Sequence, residues 1–427
     1  MRLTRKLCAG IRDVTVRNWN IQWQRHGKFN DQPVKVPPAL VQKGVEIVDA
    51  KELLKRKAVP WSPPVADDLR WAEAVPPEER ADWKTEPAYS FSHEVQLYEG
   101  MKQACLIAKA QHFEGLPPAV QELVGAVPTP DRDLLLQRLI MLSQCWNTDE
   151  TRLPKRKAPP HKILWKFKRA YGITATKSSE ILLRSLLRLC QSHVGDLPSL
   201  AARRQTYQPL LHSHVMYRDK AIVQRESLDC VVSSDSWLPP FAGEDALDES
   251  VAHRIPDMWP VLPTVDFTDI HNYELDSLPG FSRERQFGCP HTILQIGRSS
   301  EWSVGQCQAS QLLTCLLYTA ALARHKFGDN VRILPEPISI QHVSMQPTGF
   351  LLTFFQLNTL DLDNSEAGVK NLVWTADKCQ LFEKILGQPW MPQPLKRDRL
   401  VHFDGAAFEP FLAAYLNGCP ELASSAS

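Results

Sequence analysis

"VRILPEPISIQHVSMQPTGFLLTFFQLN" occupies residues 331–358. Two runs rich in β-branched and aromatic residues, "ISIQHVSM" and "GFLLTFFQLN", meet at Pro347-Thr348-Gly349. Such residues suit a pleated surface and the Pro–Gly step marks a turn, so the stretch reads as two neighbouring strands. A third run, "VKNLVW" (369–374), follows it, and "HTILQI" (291–296) precedes it. Residues 308–327 between them are apolar over a long helix, which Gly328 stops. The result is a C-terminal mixed sheet with a long packing helix. Two shorter helices are expected around 377–385 and 408–416.

Upstream the period is helical. "SHEVQLYEGMKQACLIAKAQHFEG" (92–115) spaces Val95, Leu97, Tyr98, Met101, Ala104, Cys105 and Ala108 for a helix, with Ser92 as N-cap and Gly115 beyond the end. "TPDRDLLLQRLIMLSQCW" (129–146) is a second helix, with Thr129 or Asp131 near its cap. In the third, "SSEILLRSLLRLCQSH" (178–193), Arg184 and Arg188 share one face. Helices first and strands afterwards give an α+β (mixed α/β) class.

The first ninety residues differ. Over residues 1–29, Arg2, Arg5, Lys6, Arg12, Arg17, Arg25 and Lys28 face a lone acid, Asp13, while Leu3, Leu7, Ile11 and Val14 recur at helical spacing. Arg-rich, acid-poor and amphipathic is the pattern of a mitochondrial presequence, and a basic RNA-binding tail is the alternative. Residues 30–92 form a Pro/Trp-rich stretch with Trp61, Trp71 and Trp83. X-Pro steps favour extended backbone, so this is either an arm laid on another surface or a cover over the protein's own core. The expected organisation continues with a helical region carrying a basic block (93–225), an acidic, loop-rich connection (226–286) and an α/β region (287–427).

The composition, 43% hydrophobic and 23% charged, is that of a globular protein, and no apolar run approaches the roughly 18–20 residues of a membrane span. Ten cysteines without a Cys-x-x-Cys read as free, mostly buried thiols. "DLDNSEAGVKNL" (361–372) gathers Asp361, Asp363 and Glu366. An EF-hand begun at Asp361 would need glycine at its sixth position and glutamate at its twelfth, where Glu366 and Leu372 stand. The segment therefore reads as a polar connection between strands rather than a metal loop or an acid cluster. His212 and His214 lack a cysteine or carboxylate at short spacing to complete a tetrahedral metal site, and His291 reads as a packed histidine. Nothing in the sequence marks Cys307 and His325 as neighbours in space, and no phosphate-loop, nucleophile-elbow or zinc-protease motif is present.

Charge is blocked along a chain whose net formal charge is only +1. Residues 152–225 hold sixteen Lys/Arg against three acids, and residues 226–301 hold fourteen acids against four bases. Such asymmetry points to a polyanion at one part and to protein at another. The densest stretch, "LPKRKAPPHKILWKFKRAYG" (153–172), interleaves Lys155, Arg156, Lys157, Lys162, Lys166, Lys168 and Arg169 with Trp165, Phe167 and Tyr171. Cations release counterions from phosphates and flat aromatics stack on unpaired bases, so Lys155, Arg156, Lys157, Lys162, Trp165, Lys166, Lys168 and Arg169 are candidate RNA contacts. A solvated face whose aromatics point into the core is the competing reading.

Four stretches stand in order: "YEGMKQACLIAKAQHFEGLPPAV" (98–120), "HTILQI", "ARHKFGDNVRILPEPISIQ" (323–341) and "FQLNTLDLDNSEAGVKNLVW" (355–374). Together they resemble the mitochondrial large-subunit ribosomal protein thirty-seven family, mainly over 93–145 and 287–417. The loop departs from the family run by an extra residue around Ala367. The resemblance implies an imported, non-catalytic constituent of the mitochondrial ribosome in the matrix, without cofactor or membrane span. It also implies contacts with large-subunit ribosomal RNA and other mitochondrial ribosomal proteins. One of these would be a paralogue of the programmed-cell-death type, paired with it as a heterodimer. A mitochondrial RNA-binding or ribosome-maturation factor and a divergent enzyme remain the alternatives from the residues themselves.

Overall fold

Phe354 and Phe355 are adjacent in the chain and both fully buried, yet they enter different hydrophobic cores. That is the strand periodicity of two, with apolar residues on both faces because both faces are covered. The computed structural model describes residues 18–19, 36–44, 76–144, 173–281, 288–297, 302–363, 367–386 and 400–423. The chain divides into two compact units, 1–74 and 75–427. In the first, Pro38–Gln42 forms a short helix with no buried residue, its proline at the first helical position where no N–H is needed.

In the second unit the strands are β1 (Ala88–Phe91), β2 (Ala110–Glu114), β3 (Arg204–Tyr207), β4 (Leu210–Tyr217), β5 (Lys220–Ser227) and β6 (Cys230–Ser234). They continue with β7 (Thr268–Ile270), β8 (Leu278–Pro279), β9 (Cys289–Ile296), β10 (Ile333–Gln346), β11 (Gly349–Thr359), β12 (Asn371–Thr375) and β13 (Cys379–Gln380). The main helices are α1 (Met101–Ala108), α2 (Arg132–Ser143), α3 (Ala175–Gln191), α4 (Glu244–Ala252), α5 (Val304–Phe327) and α6 (Glu409–Leu416). The larger sheet runs β2-β12-β11-β10-β9-β6-β3, with β13 added to β11, and the smaller runs β7-β1-β5-β4-β8. β9 and β10 are parallel neighbours, and parallel strands need a crossover, which α5 supplies.

The layers follow from the alternation. Val231, Ile293, Ile340, Phe355 and Val373 of the larger sheet pack with α1, α5 and the smaller sheet. Val232, Leu294, Val343, Phe354 and Trp374 face the other way, against α2, α3 and α6. Helix α5 is thus enclosed between two sheets, and every residue from 308 to 324 is buried. A capping box holds its start: the Gln306 N–H donates to the Ser303 hydroxyl at 3.3 Å and the Ser303 N–H to Gln306 Oε1 at 3.0 Å. Gly328, at φ +97°, ends it.

The α+β class, the three strands around 331–374, the strand at 291–296 and the helices at 178–193, 308–327 and 408–416 stand where the sequence places them, and within the described part of 129–146 a helix runs over Arg132–Ser143. Other elements differ. The helix expected from Ser92 begins only at Met101, because Gly100 at φ +58° lies outside helical backbone. It ends at Lys109, which is left-handed, so that residues 110–114 turn into an edge strand parallel to β12 with Phe113 stacked on Trp374 at 5.0 Å. No helix covers 377–385. Its first part is β13, drawn so close to β11 that a Cβ on Gly349 would lie 2.2 Å from the Cys379 carbonyl. Residues 93–225 hold β2 to β5 as well as helices, and 226–286 hold β6, α4, β7 and β8 as well as loops. Residues 88–91, the end of the expected arm, form β1 of the smaller sheet, and Trp83 stacks on His271 at 4.1 Å.

Candidate interaction surfaces

Lys155, Arg156, Lys157, Lys162, Trp165, Lys166, Lys168 and Arg169 lie outside the described residues. The rest of the basic block is described, and much of its charge is met within the chain. Helix α3 opens on a Thr174 cap and buries Leu182, Leu183, Leu186 and Leu187, which leaves Arg184 and Arg188 exposed four residues apart. Arg184 pairs with Glu180 at 2.8 Å and lies over the ring of Tyr207 at 4.8 Å. Arg203 is buried and donates to the Asn417 carbonyl at 2.7 Å. Arg204 meets Asp235 at 3.6 Å, and Lys220 meets Asp269 at 2.5 Å, so the acidic segment neutralises part of the described basic one. Among the described cations of the block, Arg184, Arg188, Arg204, Arg218 and Arg225 are exposed, and Arg184 and Arg188 of α3 share a surface with the half-exposed Tyr207. In the sequence Tyr207 stands beside Arg203 and Arg204 at "RRQTY", but Arg203 is buried, and the cation over the Tyr207 ring is Arg184 of α3, which no local spacing shows.

The polar segment with Asp361 and Asp363 is irregular where it is described, over 360–363 and 367–370, as its residue types suggest. It joins β11 to β12, with Lys109 Nζ donating to the Asp361 carbonyl at 3.0 Å. Burial lowers the pKa of Lys109, and the charges of Asp361 and Asp363 offset that in part. Residues 364–366 lie outside the described part.

His212 fares differently. Glu274 and Asp276, sixty residues on, bring carboxylate oxygens within 4.8 Å of one another and of its ring. Their loop is held by Arg324, which donates to the His214 carbonyl at 2.6 Å and to the Ser277 hydroxyl at 3.3 Å. Three donors beside a fixed guanidinium make an incomplete cation site. Burial, reinforced by Arg324, pushes the His214 pKa down to about 4. His291 is fully buried and bonds Thr292 at 2.7 Å, a packed histidine.

A polar cleft of about 330 Å³ opens where β9 and β10 end against the first turns of α5. Gln295, Gln311, Gln346, Ser344, Cys307 and His93 line it. Gln311 accepts from the Thr353 hydroxyl at 2.6 Å. His93 is bound by Glu226: burial opposes the charge on that carboxyl, but the hydrogen bonds from His93 outweigh it and hold its pKa below the ordinary range. Burial pushes the Cys307 thiol up, the opposite of what an activated nucleophile needs. Cys307 and His325 lie on one helix eighteen residues apart, about 27 Å along its axis.

His342, on β10 behind this cleft, gives a pH dependence. It is fully buried, bonds Gln295 Oε1 at 3.0 Å, and burial drives its pKa from 6.5 to about 3. The unfolded chain therefore takes a proton that the folded one refuses. Stability from this group is complete above 6.5 and falls as pH drops through the window from 6.5 to about 3. At pH 5 the expected loss is about 2 kcal/mol, since each pH unit below the unfolded pKa is worth about 1.4 kcal/mol. A His342→Gln variant whose urea midpoint falls as steeply between pH 7 and 5 as that of the unaltered chain would contradict this.

The described residues thus define a protein of two packed sheets with helices on and between them, and none of those helices is long and apolar enough to cross a membrane. No family profile matches the chain. It is 30% identical over 361 residues to the large ribosomal subunit protein mL37 of Rattus norvegicus, covering 82% of this chain and 80% of that one. The mL37 protein of Mus musculus is 29% identical over 381 residues, 85% of each chain, and that of Bos taurus 27% over 372. The class is that of a ribosomal protein of the large subunit. The chain belongs to the mL37 family of mitochondrial large-subunit ribosomal proteins, and its location is the mitochondrion.

Proposed function

We propose that this chain is a non-catalytic scaffold of the mitochondrial large ribosomal subunit, holding ribosomal RNA on one surface and neighbouring proteins on others. The observation that carries this reading is the relation to the mL37 proteins over four-fifths of both chains. The sequence order supports it: residues 1–29 serve as the import signal, and the cation- and aromatic-rich stretch 155–169 contacts RNA phosphate and bases. Arg184, Arg188 and Tyr207 extend that contact, since α3 begins six residues after Arg169 and its Arg184 lies over the half-exposed Tyr207 of β3. The acidic region 226–286 faces protein, with a paralogous chain as one partner in a heterodimer.

Stoichiometry separates a scaffold from a maturation factor. The endogenous full-length product should sediment with the large subunit in magnesium, at about one copy per particle, and stay there through a moderate salt wash. Release from mature particles, with retention only on assembly intermediates, would support the maturation factor instead.

A further inference from the structure

Residues 253–267 link α4 to β7, and the loop is firmly built. Ile255, Met258 and Phe267 are buried in the core beneath it. Its turns close through Val261 N–H to the Met258 carbonyl at 2.9 Å and Val265 N–H to the Leu262 carbonyl at 3.1 Å. Gln103 of α1, fully buried, donates to the Pro263 carbonyl at 2.6 Å and to Asp266 Oδ2 at 2.9 Å. Against this fixed base the outward side chains are apolar. Trp259 is 85% exposed, Val265 60%, Leu262 57% and Val261 45%. Tyr98, 69% exposed, borders them, its N–H donating to Asp266 at 3.2 Å. Scattered single apolar residues on a surface need no explanation, but four within residues 259–265 of one anchored loop, led by a bare tryptophan, call for one.

Resting on the scaffold reading above, we propose that this loop is a docking surface for a basic segment of a neighbouring large-subunit protein. Charge selects the occupant. Residues 226–281 carry twelve acids and one base, the exposed Arg254 of the loop itself; Asp235, Asp269 and Glu226 are met by Arg204, Lys220 and His93, and the acids that count are those at the loop. Glu244, Asp245, Asp248 and Glu249 are exposed on the helix leading into the loop, Asp257 is exposed beside Trp259, and Glu99 beside Tyr98. Lys102 is the exposed cation of α1 at this edge. Phosphate is repelled by such a field, and a second copy of this chain would set acid against acid. A lysine- and arginine-rich peptide with an apolar residue of its own satisfies both the charge and the tryptophan. The platform is preorganised, so little ordering opposes the contact.

The test uses the full-length chain in assembled large subunits. With Val261→p-benzoylphenylalanine, irradiation should join the loop to another ribosomal protein, at a peptide with lysine and arginine in excess. Crosslinks to ribosomal RNA, to a second copy of the chain, to an acidic peptide or to nothing overturn the proposal. Trp259→Ala, a surface change that should leave the melting temperature within about 1 °C, is expected to weaken retention on the subunit about tenfold, as removal of a central aromatic anchor does. Affinity for isolated large-subunit RNA should change less than twofold. An equal loss on RNA, or undiminished retention on the subunit, sinks the docking surface and leaves the scaffold reading standing. An unaltered chain that does not sediment with the subunit sinks both.

Discussion

Replacing Asn371 by alanine is expected to lower the stability of the chain by about 4 kcal/mol, because four buried backbone groups lose their partner at once. The Asn371 side chain is fully buried at the start of β12. Its oxygen accepts from the N–H groups of Asn358 at 2.8 Å and Thr359 at 3.0 Å. Its amide donates to the carbonyls of Ala108 at 2.8 Å and Thr359 at 3.0 Å. One side chain thus ties the end of β11, the start of β12 and the left-handed turn after α1. Each orphaned group costs roughly 1 kcal/mol or more, less whatever entering water restores. Asp361→Asn with Asp363→Asn, in the loop a few residues away, should stay within about 1 kcal/mol, since surface turn changes are small. Urea denaturation of the three full-length chains separates the two. Equal midpoints for Asn371→Ala and the unaltered chain would show that this network does not hold the hairpin.

The contrast explains what the sequence made legible. Asp361 and Asp363 attract the eye as possible chemistry, yet they decorate a loop, whereas Asn371 looks like an ordinary residue in "VKNLVW". Periodicity shows which face is buried, and it rightly found β9 to β12 and α5, whose signals are long and apolar. It does not show which polar side chain completes a backbone ladder, because that depends on groups 12 and 263 residues away in sequence. The same limit hid the smaller sheet. "LLHSHVMYRDKAIVQRES" forms the hairpin β4–β5, turning at Arg218 with φ +55°, but its charges drew attention to the basic block instead. The helix drawn from Ser92 failed for a local reason, since Val95, Leu97 and Tyr98 sit at helical spacing but Gly100 and Lys109 adopt backbone that no helix continues through. Trp259 carries a readable signal, a tryptophan between prolines in an acidic segment, that lies outside any helical or strand period.

Changing Lys155, Lys157, Lys162 and Lys166 together to glutamine is expected to weaken binding to large-subunit ribosomal RNA roughly a thousandfold near 0.1 M salt. The ground is the local density of the sequence: seven cations within fifteen residues, 155–169, in a chain with a net charge of only +1. A hydrophobic core rejects unpaired charge, so these side chains need either water, acids or phosphate. The described cations nearby show the acid option in use, Arg204 with Asp235 and Lys220 with Asp269. In the described part of 152–225, however, Glu180 already serves Lys177 and Arg184, and the whole block contains only three acids. Phosphate is the more abundant counter-charge on a ribosome. Each phosphate contact contributes about 0.7 to 0.9 to the magnitude of the log–log salt slope, so losing four should flatten it by roughly three. At 0.1 M salt that change in slope is itself the thousandfold. The measurement is affinity for isolated RNA across a salt series, with the melting temperature as a check on the fold. An unchanged affinity and slope in a folded variant would assign the block to protein, leaving RNA contact to other exposed cations such as Arg184 and Arg188.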